Sequence, residues 1–107
     1  MDLIDQKCRA YKKGEPPLAQ TEAAALAREV PAWTLGPGSL EREFALKDFR
    51  EAMTFVNRVA AIANEEDHHP DIAISYNKVR FKLSTHKIGG LSLNDFIVAA
   101  KIDRTAA

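Results

Sequence analysis

Asp71-Ile72-Ala73-Ile74-Ser75-Tyr76-Asn77-Lys78-Val79-Arg80-Phe81-Lys82-Leu83 reads as two short strands around a turn. Ile72 and Ile74 alternate with small or polar neighbours toward Tyr76, and Asn77-Lys78 turns the chain. Val79, Phe81, Leu83 and Thr85 then alternate again, the period of a strand with one buried face. Arg80, Lys82, Ser84 and His86 share its opposite, polar face. Strands this close in sequence favour antiparallel pairing. All three histidines of the chain flank this hairpin, two in Asp67-His68-His69-Pro70 just before it and one in Ser84-Thr85-His86 just after. Folding the hairpin back on itself brings the third imidazole toward the adjacent pair. Histidine is the side chain whose ordinary pKa lies nearest neutrality, so such a cluster concentrates proton-transfer chemistry.

Upstream, Leu40, Arg42, Phe44 and Leu46 alternate with Glu41, Glu43 and Ala45, again a strand. Arg42 interrupts its apolar side, which predicts an edge strand or one at an interface. Trp33-Thr34-Leu35 is a short candidate strand, and Gly36-Pro37-Gly38 is a turn. Helices fill the remainder. Ala19 to Val30 is rich in alanine, leucine and glutamate, and places Ala23, Leu26, Ala27 and Val30 on one face before Pro31 ends it. Asp48, with Glu51 three residues on, opens a longer helix to about Asn64 with an apolar stripe of Phe49, Ala52, Met53, Val56, Ala60 and Ala63. Phe55, Val59 and Ile62 widen that stripe, as in a well-buried helix or a subunit contact. Glu65-Glu66-Asp67 closes the helix with carboxylates where its dipole favours cations, a hint that they serve something other than helix stability. Ser92 caps the last helix with Asp95 at N3, and Leu93, Phe96, Ile97 and Ala100 form its buried face. Gly89-Gly90 permits a sharp change of direction just before it. Residues 1–15 lack periodicity and form an extended arm, leaving 16–107 as a single domain. The pattern is α+β, with antiparallel strands and three helices on one face.

Composition narrows the function. The 107 residues suffice for one domain with a real core. Lysine plus arginine balance aspartate plus glutamate at fifteen each, so no basic surplus exists to hold a nucleic-acid backbone directly. The single cysteine, Cys8, excludes an internal disulfide and a multi-cysteine zinc site, and reads as an incidental thiol near a loose terminus. No apolar run approaches membrane-helix length, and the N-terminus lacks a signal-peptide pattern; these features point to a cytoplasmic protein.

The histidine cluster admits three uses. Three imidazoles with Asp67 or Asp95 could ligate zinc or iron, although adjacent histidines in extended chain point apart. His68, His69 and His86 could act as acids and bases on an organic substrate. They could also be polar residues on a binding surface.

These residues resemble the pterin-4a-carbinolamine dehydratases, also called dimerization cofactors of a homeodomain transcription factor. The family pattern is met by His68-His69-Pro70, five residues, Tyr76, nine residues, His86, eight residues, Asp95. Tyr76-Asn77-Lys78-Val79, Leu83-Ser84-Thr85-His86 and Gly90-Leu91-Ser92 are also similar, and the likeness extends through Lys47-Asp48-Phe49, Val56-Asn57-Arg58-Val59-Ala60 and Pro31-Ala32-Trp33. One departure is Asn64, where the family usually carries a charged residue; Glu65 next door is its candidate substitute. The resemblance implies a four-stranded antiparallel sheet with helices on one side, subunits whose sheets join edge to edge as homodimers, and dimers commonly paired into homotetramers. It implies dehydration of 4a-hydroxytetrahydropterin to quinonoid dihydropterin, with pterin as substrate and neither metal nor cofactor. By this likeness His68 and His86 transfer protons and His69 holds the substrate, while Asp67 and Asp95 orient histidines or bind pterin. Pro70, Ser84, Thr85 and Lys87 complete the substrate-binding set. The competing reading is a non-catalytic dimerization module of the same fold.

Overall fold

The computed structural model describes residues 1–106. Helix α1 (Gln20–Ala27) is followed by strands β1 (Thr34–Gly36) and β2 (Ser39–Ala45), then helix α2 (Phe49–Glu66). Strands β3 (Asp71–Ser75) and β4 (Lys78–Leu83) form the hairpin, and helix α3 (Leu93–Ala106) ends the described chain. The four strands make one antiparallel sheet in the order β1-β2-β4-β3. This is the expected α+β architecture.

The hairpin register sets the faces of the sheet. Phe81 pairs with Ile72 and Arg42, and Val79 with Ile74 and Phe44. Val79, Phe81, Leu83 and Leu40 are buried under the helices, whereas Lys78, Arg80 and Lys82 are exposed on the open face. The rings of Phe44, Phe55 and Phe81 meet edge to face at 4.9–5.8 Å in the middle of the core. Edge-to-face packing of this kind contributes roughly 0.5–1.5 kcal/mol per pair beyond area burial.

One expectation needs correction. The strand β2 is interior, paired with β1 on one side and β4 on the other. Arg42 is tolerated there because its guanidinium lies 4.1 Å from the centroid of the Phe44 ring and donates to Asp103 Oδ1 at 2.6 Å. Trp33 Nε1 donates to the same oxygen at 2.8 Å, so strand and corner are tied to α3. Of the two readings open for the wide stripe of α2, the well-buried helix is the one observed at Phe55 and Val59, which are core residues, 5% and 0% exposed. The large exposed apolar side chains lie elsewhere, among them Ile72, Ile74 and Tyr76 on or beside β3 and Phe49 at the start of α2.

Local signals explain most boundaries. The Asp48 side chain accepts from the Glu51 N–H at 2.9 Å and so starts α2. Helix α1 ends earlier than its alanine-rich run predicts, because Arg28, Glu29 and Val30 donate to carbonyls three residues back and tighten the chain toward Pro31. The N-terminal arm is not loose. Leu3, within a 3-10 turn at Leu3–Asp5, is buried against the body, and Cys8 is half-buried.

Candidate active site

Two chain reversals bring the histidines together. Helix α2 ends at Asp67 in the left-handed conformation (φ 52°), and the His68 N–H donates back to the Ala63 carbonyl at 3.1 Å. That reversal throws His68 and His69 to one side before buried Pro70 leads into β3. At the other end of the hairpin, β4 runs out at Leu83 and the chain folds into a 3-10 turn over His86–Ile88. Thr85 and Gly90 bridge this loop, with the Thr85 N–H donating to the Gly90 carbonyl at 2.9 Å. Gly90 is required by packing, since a Cβ there would come within 2.8 Å of Pro17.

Behind the cleft sits Asp95, 0% exposed. Its Oδ2 accepts from Thr85 Oγ1 at 2.8 Å and from the Ser92 N–H at 2.9 Å, which is the helix-cap role its position predicts. Its Oδ1 lies 2.6 Å from His68 Nε2. Thr85 and Ser92 hydroxyls are themselves 2.7 Å apart. The carboxylate therefore caps α3 and holds His68 at once. With Nε2 committed to Asp95, Nδ1 is the ring nitrogen that the carboxylate does not hold.

His69 Nε2 lies 3.0 Å from Asn64 Oδ1, so Asn64 itself orients the second imidazole. Glu65 is drawn instead to Lys7 at 3.2 Å and does not line the cleft. His86 is exposed at the rim and makes no side-chain hydrogen bond among the described residues. The cleft, of about 360 Å³, is lined by Asp67, His68, His69, Ser84, Thr85, His86 and Lys87, together with Arg9, Ala10, Tyr11 and Asn94. Of the expected set, Pro70 and Asp95 are not on its wall. Pro70 directs the chain, and Asp95 touches the cleft only through its contact with His68. Arg9, Ala10, Tyr11 and Asn94 were not anticipated, because nothing in the aperiodic arm signals where it docks. A larger cavity of about 540 Å³ lies between α1, the β1–β2 turn and Gly89-Gly90, but no titratable side chain lines it. Among the described residues no three His, Cys, Asp or Glu side chains converge as a metal-binding group, and no helix is long and apolar enough to cross a membrane.

The helix-terminal carboxylates do have another use. Glu66, 7% exposed, accepts from Lys101 Nζ at 2.6 Å and from the Cys8 N–H at 2.8 Å, pinning the arm to α2 and α3. Burial pushes the Glu66 pKa upward, but the hydrogen bonds from Cys8 and Lys101 and the nearby lysine charges outweigh it, leaving the carboxyl below its ordinary 4.5. Burial and the Glu66 charge push the Cys8 thiol up to about 12, so it is no nucleophile near neutrality.

Comparison with known proteins is consistent along the chain. The family model described as pterin 4 alpha carbinolamine dehydratase matches residues 16–105. A Nitrosomonas eutropha protein, provisionally named a pterin-4-alpha-carbinolamine dehydratase, is 46% identical over 95% of this chain and 91% of its own length. One from Rubrobacter xylanophilus with the same provisional name is 43% identical over 96% of this chain and 97% of its own. The crystal structure of a transcriptional coactivator/pterin dehydratase from Brucella melitensis superposes with a TM-score of 0.81 at 31% identity, covering 85% of this chain and 99% of that one.

Proposed function

The chain belongs to the pterin 4 alpha carbinolamine dehydratase family, and on that footing we propose that it dehydrates 4a-hydroxytetrahydropterin to quinonoid dihydropterin in the recycling of tetrahydrobiopterin. The observation that carries this reading is the single cleft that all three histidines line, with His68 Nε2 held 2.6 Å from the buried carboxylate of Asp95. In the reaction the bond between the carbinolamine carbon and its hydroxyl breaks, and the electron pair leaves with the oxygen. An acid protonates that oxygen to water, while a base takes the proton from the adjacent nitrogen as the carbon–nitrogen double bond forms. His68 and His86 carry these two transfers. Asp95 fixes the His68 ring and stabilises its charged form, the service a buried carboxylate performs for a catalytic imidazole. His69, held by Asn64, is positioned to bind the pterin, with Asp67, Ser84, Thr85 and Lys87 around it. The chemistry uses no metal or cofactor.

A homo-oligomer also belongs to this reading, and its contact is β3. All five of its residues are exposed, Ile72 and Ile74 at 38% and 40%, and its outer edge has no partner strand among the described residues. An unprotected edge with apolar side chains is a template for pairing with a second copy.

The test of the catalytic assignment is substitution. His68→Ala and His86→Ala should fold normally and lose most of the acceleration, of order 10²–10⁴-fold for a general acid or base. Wild-type rates in both variants would refute the assignment.

A further inference from the structure

We infer that residues 9–11 of the N-terminal arm form a wall of the substrate cleft, with Tyr11 as the aromatic surface against which the flat, conjugated part of the pterin rests; this rests on the dehydratase reading above. The family model begins at residue 16, so the arm lies outside the pattern by which the family is recognised.

The arm is built into the site and not merely near it. Arg9 is held through its main chain at both ends, its N–H donating to Asn94 Oδ1 at 3.1 Å and its carbonyl accepting from Asn94 Nδ2 at 2.7 Å. Asn94 is 4% exposed and immediately precedes Asp95, so the anchor of the arm and the partner of His68 occupy adjacent positions of one helix. The Cys8 bond to Glu66 adds a third point. Beyond it, the Arg9 guanidinium lies 3.7 Å from the centroid of the Tyr11 ring and is itself held by Glu15 at 3.0 Å. Glu15 also accepts from the Lys12 N–H at 2.6 Å, closing the turn that follows. The guanidinium covers one face of the ring and leaves the other for a ligand, and a ring biased in position beforehand costs less to order on binding.

The composition of the cleft says what the ring is for. Histidine, serine, threonine, aspartate and lysine side chains supply hydrogen bonds and charge, but the conjugated, flat amide–guanidine part of the pterin also needs a face to lie on. Tyr11 is the one phenyl ring in the lining. Stacking a planar heterocycle on an aromatic side chain is tolerant of substituents, so Tyr11 contributes affinity for the ring system and no proton transfer. Asn94 is a positioning residue that acts through the arm.

The experiment is steady-state dehydration of 4a-hydroxytetrahydropterin together with equilibrium binding of 7,8-dihydropterin, using the full chain. Tyr11→Ala should raise KM and weaken dihydropterin binding by about tenfold, within the range found for removing an aromatic platform, while kcat stays within twofold. Tyr11→Phe should restore most of that loss. Asn94→Ala, which unpins the arm and leaves the ring intact, should raise KM in the same direction. If the unaltered protein is active and Tyr11→Ala matches it in both KM and dihydropterin affinity, the arm has no part in binding and the inference falls alone. If the unaltered protein neither dehydrates the carbinolamine nor binds dihydropterin, the inference falls together with the dehydratase reading.

Discussion

Replacing Asp95 by Asn separates the two tasks of that side chain. The fully buried carboxylate meets donors on both oxygens: Thr85 and the Ser92 N–H on Oδ2, and His68 on Oδ1. An asparagine can keep only one side as acceptor. Turning its amide toward Ser92 and Thr85 sets donor against donor at the backbone N–H of the helix cap, whereas turning it toward His68 preserves both cap bonds. The second orientation is cheaper. It forces His68 Nε2 to accept, so the ring proton moves to Nδ1, the nitrogen not held by Asp95. The variant should therefore lose the charge-assisted bond, a cost of about 1.5–3 kcal/mol, and remain folded. In a domain of this size the melting temperature should fall by roughly 4–8 °C per kcal/mol. The dehydration rate should fall at least about 10²-fold, because His68 has neither a free lone pair toward the substrate nor a carboxylate to stabilise its charged form. Stopped-flow absorbance of the carbinolamine, paired with a thermal melt, reads both quantities. A folded Asp95→Asn protein with the wild-type rate would refute the account of His68.

Three further outcomes are expected. Ile74→Asp should break the assembly while each subunit stays folded, whereas Phe55→Asp, which places a charge against the buried rings of Phe44 and Phe81, should unfold the chain; light scattering and circular dichroism distinguish the two, and a chain that scatters as a monomer before any substitution would refute the oligomer. Glu66→Gln should lower stability at neutral pH by about 1–3 kcal/mol through the loss of the Lys101 pair. Because the folded-state pKa of Glu66 lies below its ordinary 4.5, its contribution is fully present above that value and is lost as the pH falls through the folded value; acid melts of the Gln variant should therefore be less steep below about pH 4.5 than those of the unaltered protein, and identical acid profiles would refute it.

Much of this structure was legible in the sequence where the physics is local. The alternation in β4 is read directly because one face is buried and the other is charged, and the stripe and cap of α2 are equally local. Arg42 was misleading because its partner, Asp103, lies 61 residues away on another helix. A charged residue on an apolar strand face reads as an edge until that partner is known. Phe55 and Val59 suggested excess surface because the depth of the core they fill depends on Phe44, Phe81 and the strand register. At the site, the histidines stood out by type and spacing and Asp95 by its helix-cap position and the family resemblance, but the link between His68 and Asp95 crosses 27 residues. The arm was unreadable for a related reason. Its docking depends on polar anchors at Asn94 and Glu66, and single polar residues carry no periodic signature.

The most direct test of the central claim is the decay of freshly generated 4a-hydroxytetrahydropterin, followed by absorbance at neutral pH with and without the unaltered protein and in the presence of a strong chelator. The account predicts decay that accelerates in proportion to protein concentration and is insensitive to the chelator. Decay at the spontaneous rate would contradict the dehydratase reading, and acceleration abolished by the chelator would contradict catalysis by the histidines alone.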